Sequence, residues 1–229
     1  MLEQVPAYVG ILFMLTTLVT ILIFVAAANN SKPVLFILLA WIGLQSIPAM
    51  YGFYTFTYSV PPRFILLIGP PFLLILFLFF IPAGKRFMDS LNPEYLTWLH
   101  TVRIPVEIGL WLLFINGTVS ELMTFEGRNF DILAGITAPI VAIFAFRKKA
   151  IGKTGLLIWN FICLALVLNI VIIAIFAVPT PFQQWGFEQP NIAVMYFPII
   201  WLPCCIVPLV IFSHLVGIGR LGKKTTGFH

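Results

Sequence analysis

Charged residues are scarce in this sequence. Asp, Glu, Lys and Arg together make up 9% of the 229 residues, whereas 61% are hydrophobic and the mean hydropathy is +1.05. A water-soluble fold could not bury so much apolar surface. Because a helix needs roughly 20 apolar residues to cross a hydrocarbon core about 30 Å thick, the chain has room for several spans and little else. The sequence therefore predicts an integral membrane protein whose main partner is the lipid bilayer.

Cysteine and histidine are also rare, with three residues of each. The cysteines lie within apolar runs and form no CxxC pair, which excludes a disulfide framework and a thiolate metal pair. The sequence has no HExxH motif, no GxSxG elbow and no lysine in its last apolar run, which argues against a zinc hydrolase, a serine hydrolase and a retinal protein. The net charge of +5 is carried mostly between apolar runs, so topology and anionic lipid explain it and no nucleic-acid partner is expected.

Seven apolar runs are separated by polar residues, proline or glycine. They predict a single all-α domain over residues 1–229, an integral membrane bundle of seven transmembrane helices. The predicted spans are residues 7–28, 34–53, 64–83, 95–116, 131–146, 155–178 and 193–217.

Basic residues are concentrated in alternate connections between these spans. The first, third and fifth connections and the tail hold ten of the thirteen, while the other connections hold only two beside four acidic residues. The positive-inside rule then predicts an outer N-terminus and an inner C-terminus, in a membrane of the bacterial inner (cytoplasmic) type. The ten basic residues are Lys32, Lys85, Arg86, Arg147, Lys148, Lys149, Lys153, Arg220, Lys223 and Lys224.

The stretch LHTVRIPVEIGLW, residues 99–111, places three ionisable residues inside the fourth span. At about 100° per residue, His100, Arg103 and Glu107 share one helix face. A charge near the bilayer midplane costs at least about 2.5 to 3.5 kcal/mol, so this face is expected to point into the bundle.

A transport function is the main hypothesis for this face. Glu107 would be the group that binds a proton or ion, Arg103 its charge partner and His100 a relay on the cytoplasmic side. Counting residues inward from the helix ends brings Gln45 and Asn169 to a similar depth, where they would act as neutral ligands. The protein would then be a transporter or permease-like carrier of a proton, an ion or a small polar solute.

Three other interpretations of the polar residues stay open. Arg103 and Glu107 could pair within their helix and merely fix helix packing. His100 and His214, at similar depths, could hold a metal or haem in a redox subunit, although no cofactor is expected otherwise. A receptor or assembly subunit would instead bind a protein partner through outer-loop residues, which are Glu126, Arg128, Asp131, Gln184 and Trp185.

Three stretches carry a resemblance to known sequences. They are ELMTFEGRNFD (121–131), TPFQQWGFEQPN (180–191) and WLPCCIVPLVIFSHL (201–215). The chain resembles, mainly in its C-terminal half, a family of uncharacterised seven-span bacterial integral membrane proteins. The resemblance implies the fold and no particular activity.

Overall fold

A computed structural model describes residues 4–222, and over that range the chain is all-α with no strand. Lys223 and Lys224, counted above among the basic residues of the tail, lie outside the described residues. The α-helices within residues 4–222 are α1 (Ala7–Ala27), α2 (Lys32–Met50), α3 (Ile65–Phe80), α4 (Pro82–Ser90), α5 (Pro93–Leu99), α6 (Arg103–Ile115), α7 (Ile132–Ala142), α8 (Lys153–Ala177) and α9 (Val207–Gly222).

In the described part of the chain, residues 4–222, five continuous helical segments are long and apolar enough to cross a membrane. The prediction of an all-α chain with apolar, span-length helices is thus confirmed. Helices α3 and α4 are joined at an angle of 97° and would add a sixth span if the bent pair is counted as one. A shorter apolar helix runs over Ile132–Arg147. The five segments are Ala7–Ala27, Lys32–Met50, Pro93–Ile115, Lys153–Ala177 and Leu202–Gly222.

The last segment begins later than the sequence predicted. Residues 193–201 form a short 3₁₀ turn, Ala193–Met195, followed by irregular chain, and the helix starts at Leu202. Pro198 explains this delay, because proline has no N–H to donate and disfavours the helical conformation in the residue before it.

Helix α1 packs against α5 and α6. The contact with α6 is close, since a Cβ on Gly109 would lie 2.7 Å from the ring of Phe13. Helix α8 packs along α9, and α5 contacts both α7 and α9. This arrangement places α7, α8 and α9 around the junction between α5 and α6.

Polar groups inside the helices find partners within one helix turn or on a neighbouring helix. The Thr17 hydroxyl donates to the carbonyl of Phe13 one turn earlier, at 2.7 Å. Pro208 cannot donate to the carbonyl of Cys204, and the indole Nε1 of Trp41 donates to that oxygen instead, at 2.8 Å. A π-helical turn, Leu202–Ile206, accommodates this exchange. Such replacement donors are what an apolar surrounding demands.

The outward faces of the helices carry large apolar side chains. Leu22, Phe36 and Phe77, for example, are each more than half exposed. A soluble monomer rarely leaves so continuous an apolar surface uncovered, whereas a lipid-facing surface requires it.

The connections gather at two ends of the bundle. At one end, called the basic end, Asn92 N–H donates to the carbonyl of Ala27, and Arg220 donates to that of Leu91. At the other, called the loop end, the N–H groups of Ile192 and Ala193 donate to the carbonyl of Thr118. The basic end comprises residues 28–31, 81–92, 148–152 and the last turn of α9, and the loop end comprises residues 116–131 and 178–201.

Candidate functional site

The three ionisable side chains of residues 99–111 are all buried inside the bundle. His100 is 1% exposed, Arg103 2% and Glu107 1%. His100 begins a 3₁₀ turn, His100–Val102, that joins α5 to α6 just before Pro105, a residue with no N–H to continue an α-helical ladder. Groups of this kind require partners, because an isolated charge in an apolar interior is strongly destabilising.

Arg103 connects α6 to three neighbouring elements. Its Nη1 lies 3.0 Å from Oδ1 of Asp131, and the guanidinium donates to the carbonyl of Cys163 on α8 at 3.3 and 3.4 Å. Its Nη2 lies 3.0 Å from Nε2 of His214 on α9. The expected pairing with Glu107 is replaced by the pair with Asp131, because the Arg103 side chain crosses to the start of α7 rather than following its own helix.

The pair between Arg103 and Asp131 depends on a close approach of α7 to α6. A Cβ on Gly135 would lie 2.9 Å from Cγ1 of Ile104 and 3.2 Å from Cβ of Arg103, so a larger residue would push the two helices apart. Asp131 lies directly before α7 and is 5% exposed. The sequence predicted Asp131 as an outer-loop binding residue, whereas the structure buries it in the same cluster as Arg103.

Glu107 is held by a neutral amide. Nδ2 of Asn129 donates to both carboxylate oxygens at 2.7 Å and to the carbonyl of Met123 at 2.9 Å. Oδ1 of Asn129 accepts from the N–H of Asp131 at 3.0 Å, which fixes the direction of the amide. Asn129 is fully buried although it lies in a loop, and sequence analysis missed it. Asn129 lies two residues before Asp131, which precedes α7, and this spacing indicates a local turn. It does not predict that Asn129 contacts Glu107.

The two histidines of the cluster stack face to face. The rings of His100 and His214 are 3.8 Å apart between centroids, with 12° between their planes, and Trp159 packs against both. Because arginine can only donate, Nε2 of His214 must accept from Arg103. Nδ1 of His214 therefore carries the proton and donates to Oδ1 of Asn160, at 2.9 Å. This hydrogen-bond pattern defines a neutral His214.

The stacked geometry does not favour the metal or haem alternative. Both nitrogens of His214 are engaged by protein groups, and a ring separation of 3.8 Å leaves no room for a porphyrin between His100 and His214. Over residues 4–222, no group of three or more His, Cys, Asp or Glu side chains could hold a metal ion.

Two other predicted ligands lie apart from Glu107. Gln45 is buried on α2, where Oε1 accepts a hydrogen bond from the hydroxyl of Tyr54. Asn169 is exposed on α8, and its Nδ2 donates to the backbone carbonyl of Arg128 at 3.0 Å. Matching depth along the helices did not predict proximity, because depth says nothing about the direction in which each side chain points.

The remaining outer-loop candidates stay at the surface of the loop end. Glu126 accepts from Nε1 of Trp111 at 3.0 Å. Gln184 is exposed, and its N–H donates to the carbonyl of Phe176 at 2.9 Å. Trp185 packs edge-on against the ring of Phe176, 5.5 Å away. The side chain of Arg128 is exposed as well.

Two cavities border the buried cluster. One, called the apolar cavity, has a volume of about 70 Å³ and is lined by apolar side chains apart from Glu107 and Asp131. That volume holds a few water molecules at most. Residues Phe64, Met123 and Val194 in its lining put it toward the loop end.

The second cavity, called the vestibule, lies at the basic end and has a volume of about 610 Å³. Its lining includes three basic side chains, Lys149, Lys153 and Arg220, and it reaches the buried residues His100 and Asn160. The cluster therefore lies between the vestibule and the apolar cavity.

Comparison with known proteins identifies a family. A family model described as a domain of unknown function (DUF8737) matches residues 60–222, a range that contains every residue of the buried cluster. No curated protein and no solved structure matches the chain.

Proposed function

We propose that the chain, which belongs to the DUF8737 family, is a small membrane transporter or permease-like carrier in which Glu107 is the proton-binding or ion-binding group. In this proposal Glu107 acts together with three buried neighbours, which are Arg103, His100 and Asp131. The proposal keeps the role expected for Glu107 from the sequence, assigns Asp131 as the partner of Arg103, and leaves Gln45 and Asn169 outside the site.

The proposed membrane arrangement has seven spans, with the N-terminus outside and the C-terminus inside. Five long apolar helices supply five spans, the bent pair α3 and α4 a sixth, and the helix over Ile132–Arg147 the seventh. The clustering of basic connections at one end supports this orientation, with the basic end in the cytoplasm and a bacterial inner membrane as the location.

The charge count of the cluster is the observation that carries the proposal. Arg103 supplies one positive charge and pairs with Asp131, whereas within residues 4–222 Glu107 is in no ion pair and its carboxylate accepts hydrogen bonds from the neutral amide of Asn129. A buried carboxylate without a cationic partner is costly unless it takes up a proton or a cation. Glu107 can therefore exchange such a species during a transport cycle, and Arg103 with Asp131 remains as a fixed, neutral pair.

The two cavities supply the access that exchange requires. Glu107 and Asp131 line the apolar cavity, and His100 lines the vestibule. Between them, His100 stacks on His214, His214 contacts Arg103, and Arg103 contacts Asp131. This series of contacts, one ring stack and two polar contacts, links the two cavities through the core.

Proton flux into proteoliposomes tests the proposal directly. With a pyranine dye inside the vesicles and a potassium diffusion potential across them, the wild-type protein should show a pH-dependent flux. Glu107→Gln removes the exchangeable proton with little change of shape and should lower that flux to below about one tenth of wild type. Glu126→Gln makes the same chemical change at the exposed loop end and should leave the flux unchanged. Equal fluxes from the two variants would refute the role of Glu107.

A further inference from the structure

We infer that the vestibule binds the anionic group, a phosphate or a carboxylate, of the solute that the protein carries. This inference rests on the proposed carrier function and specifies its substrate class. The juxtaposition behind it is three basic side chains in the lining of a large cavity that also reaches the buried polar residues His100 and Asn160.

The charge of the vestibule is of one sign. Lys149, Lys153 and Arg220 contribute to its lining, and of the residues that the structure describes no Asp or Glu lines it. Arg220 is half-buried and donates from Nη1 to the carbonyl of Leu91, which uses one of the five N–H groups of its guanidinium. Basic side chains gathered on one cavity raise the local concentration of anions and supply charge-assisted hydrogen bonds to them.

The inner end of the vestibule has unused hydrogen-bonding capacity. His100 is 1% exposed and lines the cavity, and its Nδ1 has no hydrogen-bond partner among residues 4–222. Nδ2 of Asn160, which also lines the cavity, donates to the carbonyl of Leu156, and the amide carries a second N–H. An unpartnered polar atom at such depth is unusual in a folded protein, and a bound ligand would satisfy it.

A glycine on α9 makes room for this inner end. A Cβ on Gly217 would lie 3.0 Å from Oδ1 of Asn160, so a larger side chain there would displace the amide. Gly217 itself lines the vestibule. Absence of a side chain at this position keeps open the path from the basic mouth to His100.

The two cavities differ in size, so each suits a different part of the transported load. The vestibule, at about 610 Å³, falls within the range of roughly 300 to 1,000 Å³ that small-molecule sites occupy. The apolar cavity, at about 70 Å³, suits only a proton or a few waters beside Glu107. An anion in the vestibule accompanied by a proton on Glu107 would cross the membrane with less net charge than the anion alone.

Direct binding of defined anions tests the inference. We would reconstitute the full chain in nanodiscs of zwitterionic lipid and titrate inorganic phosphate and citrate by calorimetry, with glycerol as the neutral comparison. At least one anion should bind and glycerol should not. Lys149→Ser combined with Arg220→Gln should weaken anion binding at least about tenfold, the scale expected for lost charge-assisted hydrogen bonds.

A matched control separates local recognition from bulk charge. Lys85→Ser combined with Arg86→Gln removes the same two charges from exposed positions of α4 that do not line the vestibule. Binding by this variant should equal that of wild type. Thermal unfolding of each variant verifies that the protein remains folded, and if the Lys149 and Arg220 variant unfolds, the single Lys149→Ser change replaces it.

The anion could come from a free solute or from a lipid headgroup, and lipid composition distinguishes the two. If the probe still binds when anionic phospholipid is added to the nanodiscs, the site takes a free solute. If anionic lipid displaces the probe, and native mass spectrometry shows lipid retention that is lost with the Lys149 and Arg220 changes alone, the site takes a headgroup. Absence of any anion binding that depends on Lys149 and Arg220 would overturn the inference.

The binding measurement and the flux measurement can fail independently. Anion binding does not require a proton on Glu107, so Glu107→Gln should bind the probe as wild type does. Loss of the predicted binding with a normal Glu107-dependent flux would remove only the substrate assignment. Normal binding together with a flux that is indifferent to Glu107 would remove the proposed function and leave the vestibule as an anion-binding site with no transport role.

Discussion

Replacement of Arg103 by methionine should destabilise the protein far more than loss of an ordinary surface ion pair. The guanidinium is the cationic partner of Asp131 in a pair whose side chains are 2% and 7% exposed. Removing one partner of such a buried pair lowers the free energy of unfolding by about 3 to 5 kcal/mol, because the remaining charge is left uncompensated. The carbonyl of Cys163 and Nε2 of His214 would also lose their donor.

A more exposed ion pair, between Arg147 and Glu94, provides a matched control. Arg147 and Glu94 approach to 2.8 Å, much as Arg103 and Asp131 approach to 3.0 Å, but their side chains are 64% and 28% exposed. Arg147→Met should therefore cost no more than about 1 kcal/mol. The two substitutions are chemically identical and differ mainly in burial.

Equilibrium unfolding in mixed micelles of a mild detergent and dodecyl sulfate, followed by circular dichroism, would measure both free energies. Arg103→Met combined with Asp131→Leu removes both buried charges and should recover part of the loss caused by Arg103→Met alone. If Arg103→Met costs as little as Arg147→Met, the argument that burial makes this pair essential is refuted.

Two further predictions concern the bend between α3 and α4 and the membrane orientation. A Cβ on Gly84 would lie 2.1 Å from the carbonyl oxygen of Leu78, so Gly84→Ala should lower the free energy of unfolding by about 1 to 3 kcal/mol. A Cβ on Gly43 would have nothing within 4 Å, so Gly43→Ala should raise the free energy of unfolding by up to about 1 kcal/mol in the same assay. The native cysteines are buried, so a cysteine introduced at Trp185 should react with an impermeant maleimide from outside intact cells, and one at Lys149 only after the membrane is opened. Labelling of Lys149→Cys in intact cells would reverse the proposed orientation.

Helix positions could be predicted from the sequence because the length of an apolar run sets them. The run at 7–28 corresponds to Ala7–Ala27, and the run at 155–178 corresponds to Lys153–Ala177. Hydropathy did not predict the bend after α3, because it continues through residues 64–83 without interruption. The bend lies at Pro82, which begins α4 and follows the extended residue Ile81, and it brings Gly84 close to Leu78.

The centre of the site could be predicted and its partners could not. Helical periodicity placed His100, Arg103 and Glu107 on one face, and all three are buried. The residues that hold them come from other segments, and their contacts depend on helix rotation and on the path of a loop. Asn169 was matched to Glu107 by depth along its helix, but its side chain donates to the carbonyl of Arg128. Asn129, which does hold Glu107, lies in a loop, where helical periodicity does not apply.

The loop that ends at Asp131 supplies two of the groups on which the buried charges depend. Asn129 donates to Glu107, and two residues later Asp131 pairs with Arg103. In genetic terms, this loop and α6 act as one functional unit despite their separation in sequence. Lesions at Asn129 should reproduce the phenotype of lesions at Glu107, and second-site suppressors of either should map to the other.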